Sequence, residues 1–214
     1  MRQLVIIGAG GFGREMLAWA RQATERWVVK GFLDDNPRAL EGFAKDVPLL
    51  GTVETHAPEP MEAFVCAMGR IEFKRRCVGL LQARGGLFPP LIHGSAVLGE
   101  HAVLGAGVII CPHAVVSSDV RLGDFVTVNL HSTVAHDAVI GAWSQLHCHV
   151  DITGGVVLGE GVTVGSHASI LPGVKVGDGA TIGAGSVVMR DVPAGATVFG
   201  APARPYVMPE VPHV

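Results

Sequence analysis

The sequence predicts a parallel β-helix built from hexapeptide repeats, preceded by a small N-terminal α/β domain. Three observations predict this architecture: a six-residue repeat through the second half of the chain, a glycine-rich turn between strand and helix patterns near the N-terminus, and the composition. Of 214 residues, 29 are glycine, while 6% are aromatic and 16% are charged. Such a composition suits a backbone that makes many tight turns around a core of small aliphatic side chains.

The repeat places an aliphatic residue at every sixth position. The series consists of Ile92, Leu98, Leu104, Ile110, Val116, Leu122, Val128, Val134, Ile140, Leu146, Ile152, Leu158, Val164, Ile170, Val176, Ile182 and Val188. A small or β-branched residue often follows four positions later, and glycine often follows directly. Fixed-period repeats are typical of solenoids, in which each repeat is stabilised by its neighbours. Three six-residue sides close one coil, so each aliphatic residue should stack on the one eighteen positions later. We expect the glycines to provide positive φ angles at the corners.

The first ninety residues alternate between strand and helix patterns. Apolar runs at 3–7, 28–33 and 63–68 predict strands, and 14–22 and 70–83 predict helices. This alternation predicts a small parallel sheet.

The boundaries follow from these patterns. We expect an α/β domain over 1–90, ending in the linker Phe88-Pro89-Pro90, and a β-helix over 91–192. Pro193 and Pro202 should stop its strands, which leaves a C-terminal tail over 193–214.

Charge and hydropathy limit the partners. A net charge of −3 and a pI near 6.3 give no reason to expect nucleic acid or an acidic membrane surface as a partner. No apolar run approaches the ~20 residues of a membrane span. The start, MRQLVIIGAGG, lacks the features of a secretory signal, so we expect a cytoplasmic protein. The four cysteines form no CxxC motif and are expected to be reduced.

A glycine-rich turn follows the first predicted strand. Gly10, Gly11 and Gly13 lie between this strand and a helix, and Asp34 and Asp35 end the second strand. Glycines let the backbone approach a pyrophosphate, and the helix N-terminus favours its charge. The alternative is a tight turn with a purely structural role. About 90 residues leave no room for a complete NAD-binding fold, so a mononucleotide, as in a nucleotide-sugar, fits better.

The segments GAGGFGRE and FLDDN, together with the repeats around NLHSTVAHDAVIG, resemble the bacterial sialic acid O-acetyltransferase-like family. This family includes N-acetyltransferases that act on nucleotide-linked 4-amino sugars, and the resemblance covers nearly the whole chain. It implies a left-handed β-helix, an exception to the usual right-handed crossover. It also implies acetyl-CoA as co-substrate and a homotrimer with active sites between neighbouring prisms.

The resemblance also implies roles for individual residues. His136 matches the general base, and Asp137 would orient its imidazole. Nucleotide binding carries over onto Gly10, Gly11, Gly13, Asp34 and Asp35. Contacts with CoA carry over onto Gly155, Gly173 and Ala180.

Four histidines are spaced by eighteen residues, namely His113, His131, His149 and His167. They should stack in one line on successive coils. This ladder is either an exposed or trimer-facing structural feature, or it places His131 near the substrate and His149 near the cofactor. No carboxylate or cysteine recurs beside it, so we expect no metal site.

The leading functional hypothesis is an acetyl-CoA-dependent N-acetyltransferase. Its substrate would be an NDP-linked 4-amino-4,6-dideoxy sugar of the GDP-perosamine or UDP-4-amino sugar type. Acetyl transfer should be direct, because no Ser or Cys nucleophile with a base partner stands out. The alternatives are a sugar O-acetyltransferase of the sialic acid type, a carbonic anhydrase relative, and a non-catalytic nucleotide-binding trimer. The ladder disfavours the carbonic anhydrase relative, because it aligns histidines on one subunit instead of grouping three zinc ligands.

Overall fold

The computed structural model describes residues 2–25, 27–43 and 46–206. The chain divides into two compact units. The first comprises the residues up to Ala96 together with Gly105–Pro112, and the second comprises Val97–Leu104 and the chain from His113 onward. Within the described ranges, none of the helices has the length and apolar character that crossing a membrane requires.

The first unit begins with two helices and four strands in alternation. They are β1 (Gln3–Ile7), α1 (Gly11–Ala20), β2 (Val28–Leu33), β3 (Leu49–Gly51), β4 (Glu62–Cys66) and α2 (Ile71–Gln82). The strands form one sheet in the order β3-β2-β1-β4, and every pair in it is parallel. The predicted parallel sheet is therefore confirmed. Strand β3 was not predicted, because it has only three half-buried residues.

The hexapeptide strands are two residues long. They are β5 (Leu91–Ile92), β6 (Val97–Leu98), β7 (Val103–Leu104), β8 (Ile109–Ile110), β9 (Val115–Val116), β10 (Arg121–Leu122), β11 (Thr127–Val128), β12 (Thr133–Val134), β13 (Val139–Ile140), β14 (Gln145–Leu146), β15 (Asp151–Ile152), β16 (Val157–Leu158), β17 (Thr163–Val164), β18 (Ser169–Ile170), β19 (Lys175–Val176), β20 (Thr181–Ile182) and β21 (Val187–Val188). Each ends on the repeated aliphatic residue.

Strands eighteen residues apart pair in parallel, as Val134 does with Val116 and Ile152. In the second unit this produces three faces. One face contains β6, β9, β12, β15, β18 and β21, and another contains β7, β10, β13, β16 and β19. The third face of this unit contains β11, β14, β17 and β20. In the first unit, β5 pairs in parallel with β8. The predicted parallel β-helix is confirmed.

The corners differ from the expectation for glycine. Left-handed φ angles recur three residues after the aliphatic residue, as at Asp137 (φ 62) and Gly155 (φ 66). The glycines directly after the aliphatic residue have a steric role instead. A Cβ at Gly123 would lie 2.6 Å from the backbone nitrogen of Ala142 in the next coil. The expectation of positive φ at these glycines was wrong. Glycine is required there because a side chain would collide with the backbone of the next coil.

The β-helix continues beyond Pro193. Strand β22 (Thr197–Phe199) pairs in parallel with β20, and β23 (Arg204–Pro205) pairs antiparallel with β22. Thr197 lies opposite Thr181, an offset of sixteen residues instead of eighteen. The expectation that strands stop at Pro193 was wrong, because the chain between the two prolines adds one more strand.

Candidate active site

His136 and Asp137 occupy the corner between β12 and β13. Strand β12 ends at Val134, and Ala135 separates it from the two residues. The side chains of His136 and Asp137 are 69% and 66% exposed. The Nδ1 atom of His136 lies 2.7 Å from Oδ2 of Asp137. An ionised carboxylate only accepts hydrogen bonds, so Nδ1 donates in this pair. The Nε2 atom of the neutral imidazole then carries the free lone pair that a general base requires.

Gly154 provides the space for the imidazole, a role that sequence reasoning missed. A Cβ at Gly154 would lie 2.7 Å from Cε1 and 2.8 Å from Nε2 of His136. The backbone N–H of Gly155 donates to the His136 carbonyl at 2.9 Å. Gly154 stands eighteen residues after His136, so its place beside the ring could have been deduced from the repeat.

Gly155 and Gly173 continue the same corner on the next two coils. Their φ angles are 66° and 73°, and a Cβ at either position would meet no atom within 4 Å. On the two coils that follow Asp137, this corner therefore has free space beside its backbone. Ala180 lies elsewhere: it precedes β20 at a different corner and is fully buried. Its side chain faces the core, so the structure does not bring it to the corner of His136.

The histidine ladder forms as predicted. The imidazole centroids of successive members are 5.0, 5.0 and 4.7 Å apart, and their planes differ by 17°, 4° and 5°. His131 and His149 lie at the corner that leads into the face of β12 and β15, whereas His136 lies at the corner that leads out of it. Within a single chain, His131 and His149 therefore lie at a different corner from His136. Among the described residues, no three His, Cys, Asp or Glu side chains are grouped as metal ligands.

His147 precedes the ladder residue His149 by two positions and is only partly exposed. Burial lowers the pKa of its imidazole, because desolvation disfavours the charged form. Its carbonyl accepts a hydrogen bond from the Ser132 hydroxyl at 2.6 Å. The neutral form of His147 is therefore favoured, but no described contact connects it with His136.

The predicted nucleotide site lies where β1 leads into α1. Gly10 is the N-cap of α1, and the helix begins at Gly11. A Cβ at Gly10 or Gly11 would meet no atom within 4 Å, so both positions are open to a ligand. At Gly13, a Cβ would lie 1.8 Å from the Gly8 carbonyl oxygen. Gly13 therefore allows the close packing of helix against strand and does not face the open side of the turn.

Asp34 and Asp35 have different surroundings. The Oδ2 atom of Asp34 accepts from the Ala9 N–H at 2.7 Å, and Oδ1 accepts from the Asn36 N–H at 2.9 Å. Asp34 thus holds the glycine-rich turn. Asp35 is exposed, so its carboxylate is the one that can meet a ligand.

Arg14 adds a cation to this turn. Its Nη1 donates to the Ala9 carbonyl at 3.1 Å, and its guanidinium lies 3.7 Å from the centroid of the Phe43 ring. Sequence reasoning missed Arg14, although it directly follows Gly13.

Comparisons with known proteins agree with this arrangement. The PglD N-terminal domain family matches residues 3–81, and the bacterial transferase hexapeptide family (six repeats) matches residues 155–190. The acetyltransferase domain of PglB from Neisseria gonorrhoeae is 32% identical, with a TM-score of 0.85 over 96% of this chain and 100% of that chain. The chain belongs to the left-handed β-helix acetyltransferases. The resemblance seen in the sequence and the predicted handedness are thereby confirmed.

Two further solved structures match this acetyltransferase over almost its whole length. WeeI from Acinetobacter baumannii is 28% identical, with a TM-score of 0.84 over 96% of this chain and 100% of that chain. PerB from Caulobacter crescentus is 27% identical, with a TM-score of 0.87 over 96% of this chain and 97% of that chain. No curated protein sequence matches the acetyltransferase. The roles of His136 and of the nucleotide-site residues stay predictions.

Proposed function

We propose that this acetyltransferase transfers the acetyl group of acetyl-CoA to the amino group of an NDP-linked 4-amino-4,6-dideoxy sugar. The sugar-nucleotide would be of the GDP-perosamine or UDP-4-amino sugar type. The observation that carries the proposal is the hydrogen-bonded pair of His136 and Asp137 at an open corner. Support also comes from the PglB domain, which has been solved with acetyl coenzyme A, and from PerB, which has been solved with CoA and GDP-perosamine.

The chemistry needs one base and no covalent enzyme intermediate. The amine nitrogen attacks the thioester carbonyl carbon, and Nε2 of His136 accepts a proton from that nitrogen. Asp137 stabilises the imidazolium through Nδ1. The carbon–sulfur bond then breaks, the CoA thiolate leaves, and it receives a proton, so that the products are the amide and free CoA. A positioned general base of this kind contributes about 10²–10⁴-fold to the rate.

The proposed assembly is a homotrimer whose active sites lie between prisms. His131 and His149 can approach His136 only from another subunit, since they lie on a different corner of one chain. Val139 and Val157, on the face that begins at the His136 corner, are 37% and 38% exposed. Val139 pairs with Val157, so the two side chains form one continuous apolar strip on this face, and burying such a strip favours association. A neighbouring prism packed on this face would enclose the His136 corner.

The decisive experiment pairs an amino sugar with its hydroxyl counterpart. The protein is incubated with acetyl-CoA and GDP-perosamine, a UDP-4-amino-4,6-dideoxy sugar, a dTDP-4-amino-4,6-dideoxy sugar, or GDP-rhamnose. Released CoA is measured with a thiol reagent, and the product is identified by its mass. We expect turnover with at least one amino sugar and none with GDP-rhamnose. Preferential acetylation of the hydroxyl sugar would instead support the O-acetyltransferase, and nucleotide binding without turnover would support the non-catalytic trimer.

A further inference from the structure

The chain that leaves helix α1 is joined by hydrogen bonds to the first hexapeptide strand, β5. It pairs antiparallel with His93, which directly follows β5. The Thr24 N–H donates to the Ile92 carbonyl at 2.9 Å. The Gly94 N–H donates to the Gln22 carbonyl at 2.8 Å. A Cβ at Gly94 would lie 2.7 Å from that carbonyl oxygen, so the close approach of the two segments requires glycine.

The side chain of His93 adds a second set of contacts to this junction. Its Nδ1 atom accepts from the Ser95 N–H at 3.1 Å and lies 2.8 Å from the Ser95 hydroxyl. Its Nε2 atom lies 3.1 Å from Oε1 of Gln22. A backbone N–H can only donate, so Nδ1 carries the lone pair and Nε2 donates its proton to Gln22. His93 is 8% exposed. Together with Gln22 and Ser95, it forms a nearly buried latch between α1 and β5.

The predicted nucleotide turn lies at the opposite end of the same helix. Gly10 caps the start of α1, and the helix ends at Ala20, just before the latch. The ten residues of α1 span about 15 Å at the usual rise of 1.5 Å per residue. A tilt of about 4° at the latch would therefore move the turn by about 1 Å. A misplacement of about 1 Å between reacting groups costs about 10²-fold in rate.

We infer that His93 is a positioning residue for acetyl transfer, which acts on the sugar-nucleotide through Gln22 and helix α1. This inference rests on the proposed function, in which the glycine-rich turn binds the nucleotide. The turn supplies the binding contacts, and the latch fixes its place relative to β5. Loss of the latch should therefore slow turnover and leave the affinity for nucleotide unchanged.

The test separates turnover from nucleotide affinity. With an amino sugar that the wild type acetylates, we expect His93→Ala to lower kcat about 10²-fold. The dissociation constants of GDP and UDP, measured by calorimetry, and KM for acetyl-CoA should not change. His93→Gln should restore most of kcat, because its amide can still donate to Oε1 of Gln22. The control is His101→Asn, at an exposed corner whose φ of 60° asparagine tolerates.

Gln22→Ala removes the same contact from the other side. It should also lower kcat, and adding it to His93→Ala should cause little further loss, because both substitutions break one hydrogen bond. Gln22→Ala leaves the contacts between His93 and Ser95 in place. It therefore tests the latch even if His93→Ala fails to fold.

Two outcomes would overturn the inference: an unchanged kcat in both single variants, or a loss of nucleotide affinity as large as the loss of kcat. The second outcome would show that the substitutions damage the nucleotide site itself. If the wild type turned over none of the amino sugars, the proposed function would fail separately. Amide hydrogen exchange at residues 9–14, measured without ligand, would then decide the inference. Faster exchange in His93→Ala than in the wild type would support it, and equal exchange would contradict it.

Discussion

His136 is positioned by two contacts of different kinds. Asp137 holds Nδ1 through a hydrogen bond of 2.7 Å, while the missing side chain at Gly154 leaves space for the ring. The first contact selects the tautomer, and the second permits the position of Nε2. Each contact can be removed without deleting the proposed base, so the two effects can be measured separately.

The pH dependence of His136→Ala distinguishes an amine substrate from a hydroxyl substrate. A neutral amine already has a nucleophilic lone pair, so the variant should keep measurable activity that rises with pH as more amine is deprotonated. A hydroxyl depends on the base for its attack, and the variant should then be nearly inactive at every pH. We expect the amine pattern, with a loss of about 10²–10⁴-fold near neutral pH. Asp137→Ala should be milder.

The measurement is kcat/KM against pH for the wild type and both variants. Wild-type rates in His136→Ala would show that His136 is not the base. A flat and nearly inactive profile would contradict the amino-sugar substrate and favour the hydroxyl sugar.

Gly154→Ala should act through the imidazole alone. The added Cβ would displace the ring, and a misplacement of about 1 Å costs about 10²-fold in rate. The ring is an exposed side-chain end that can move, so the Tm should stay close to that of the wild type. In a His136→Ala background the same substitution should have almost no further effect on kcat, which a double-mutant cycle measures. Equal losses in both backgrounds would contradict this assignment.

Some local arrangements could be predicted from the sequence and others could not. The resemblance to the family pointed to the His136–Asp137 pair, and the period of eighteen predicted the ladder. The role of Asp34 does not, because its carboxylate accepts from the backbone N–H of Ala9, twenty-five residues away in sequence. This contact depends on how β1 and β2 place their ends, and no local pattern encodes it.

At the scale of elements, helix α2 contains a feature that its sequence pattern conceals. Lys74 is fully buried, although lysine is among the residues least often buried. Desolvation lowers the pKa of its ammonium group to about 8, while Cys66 and Cys111 oppose this shift. The pattern of α2 predicts a helix with one apolar face, but it does not show that a lysine belongs to that face.

Lys74 should make stability depend on pH in the alkaline range. Its folded-state pKa of about 8 lies below the reference value of 10.5, so folding favours the neutral amine. The cost of burying the charge is therefore present below pH 8 and disappears as pH rises towards 10.5. At about 1.4 kcal/mol for each pKa unit, this cost is up to about 3 kcal/mol.

The comparison variant is Lys74→Met, which has a similar length and no charge. The difference in unfolding free energy between variant and wild type should change by up to about 3 kcal/mol between pH 7 and pH 10.5, in favour of the wild type as pH rises. Denaturant titrations at several pH values measure it, with Lys175→Met as an exposed-lysine control. A difference that is constant over this range would contradict the prediction.

The elements of the β-helix were easier to predict than those of the first unit. Each hexapeptide strand repeats the same solution, so a single period specifies all of them. Helix α1 begins at Gly11, three residues before the predicted start. The low helix propensity of glycine suggested a later start, but the packing at Gly13 overrides that propensity. Local propensity alone could not show that packing.

At the scale of the whole molecule, the proposed trimer makes a testable prediction. Val139→Glu or Val157→Glu introduces a charge on the face next to the His136 corner. Each variant should keep its fold, since these side chains point out of the prism and are over a third exposed. We expect sedimentation equilibrium to show a trimer for the wild type and smaller species for the variants, with acetyl transfer lost in parallel.

Arg75→Glu, at an exposed position of helix α2 in the first unit, is a control for added negative charge. A monomeric wild type at micromolar concentration would contradict the trimer, and full activity in a monomeric variant would contradict the intersubunit site. The sequence alone could predict the solenoid from its period. It could not show which corners of two subunits meet, because that depends on surface shape and not on the repeat.

The period of eighteen also determines which changes of chain length the prism can accept. Asp137 and Gly173 are separated by thirty-six residues, which is two complete coils. Inserting or deleting one hexapeptide between them would move Gly173 and every later residue to a different corner. Only the gain or loss of a whole coil would keep both residues on one corner, and it would change their separation by about 4.8 Å. Relatives that vary in length within this segment should therefore differ by multiples of eighteen residues, or by loops that leave the prism at a corner.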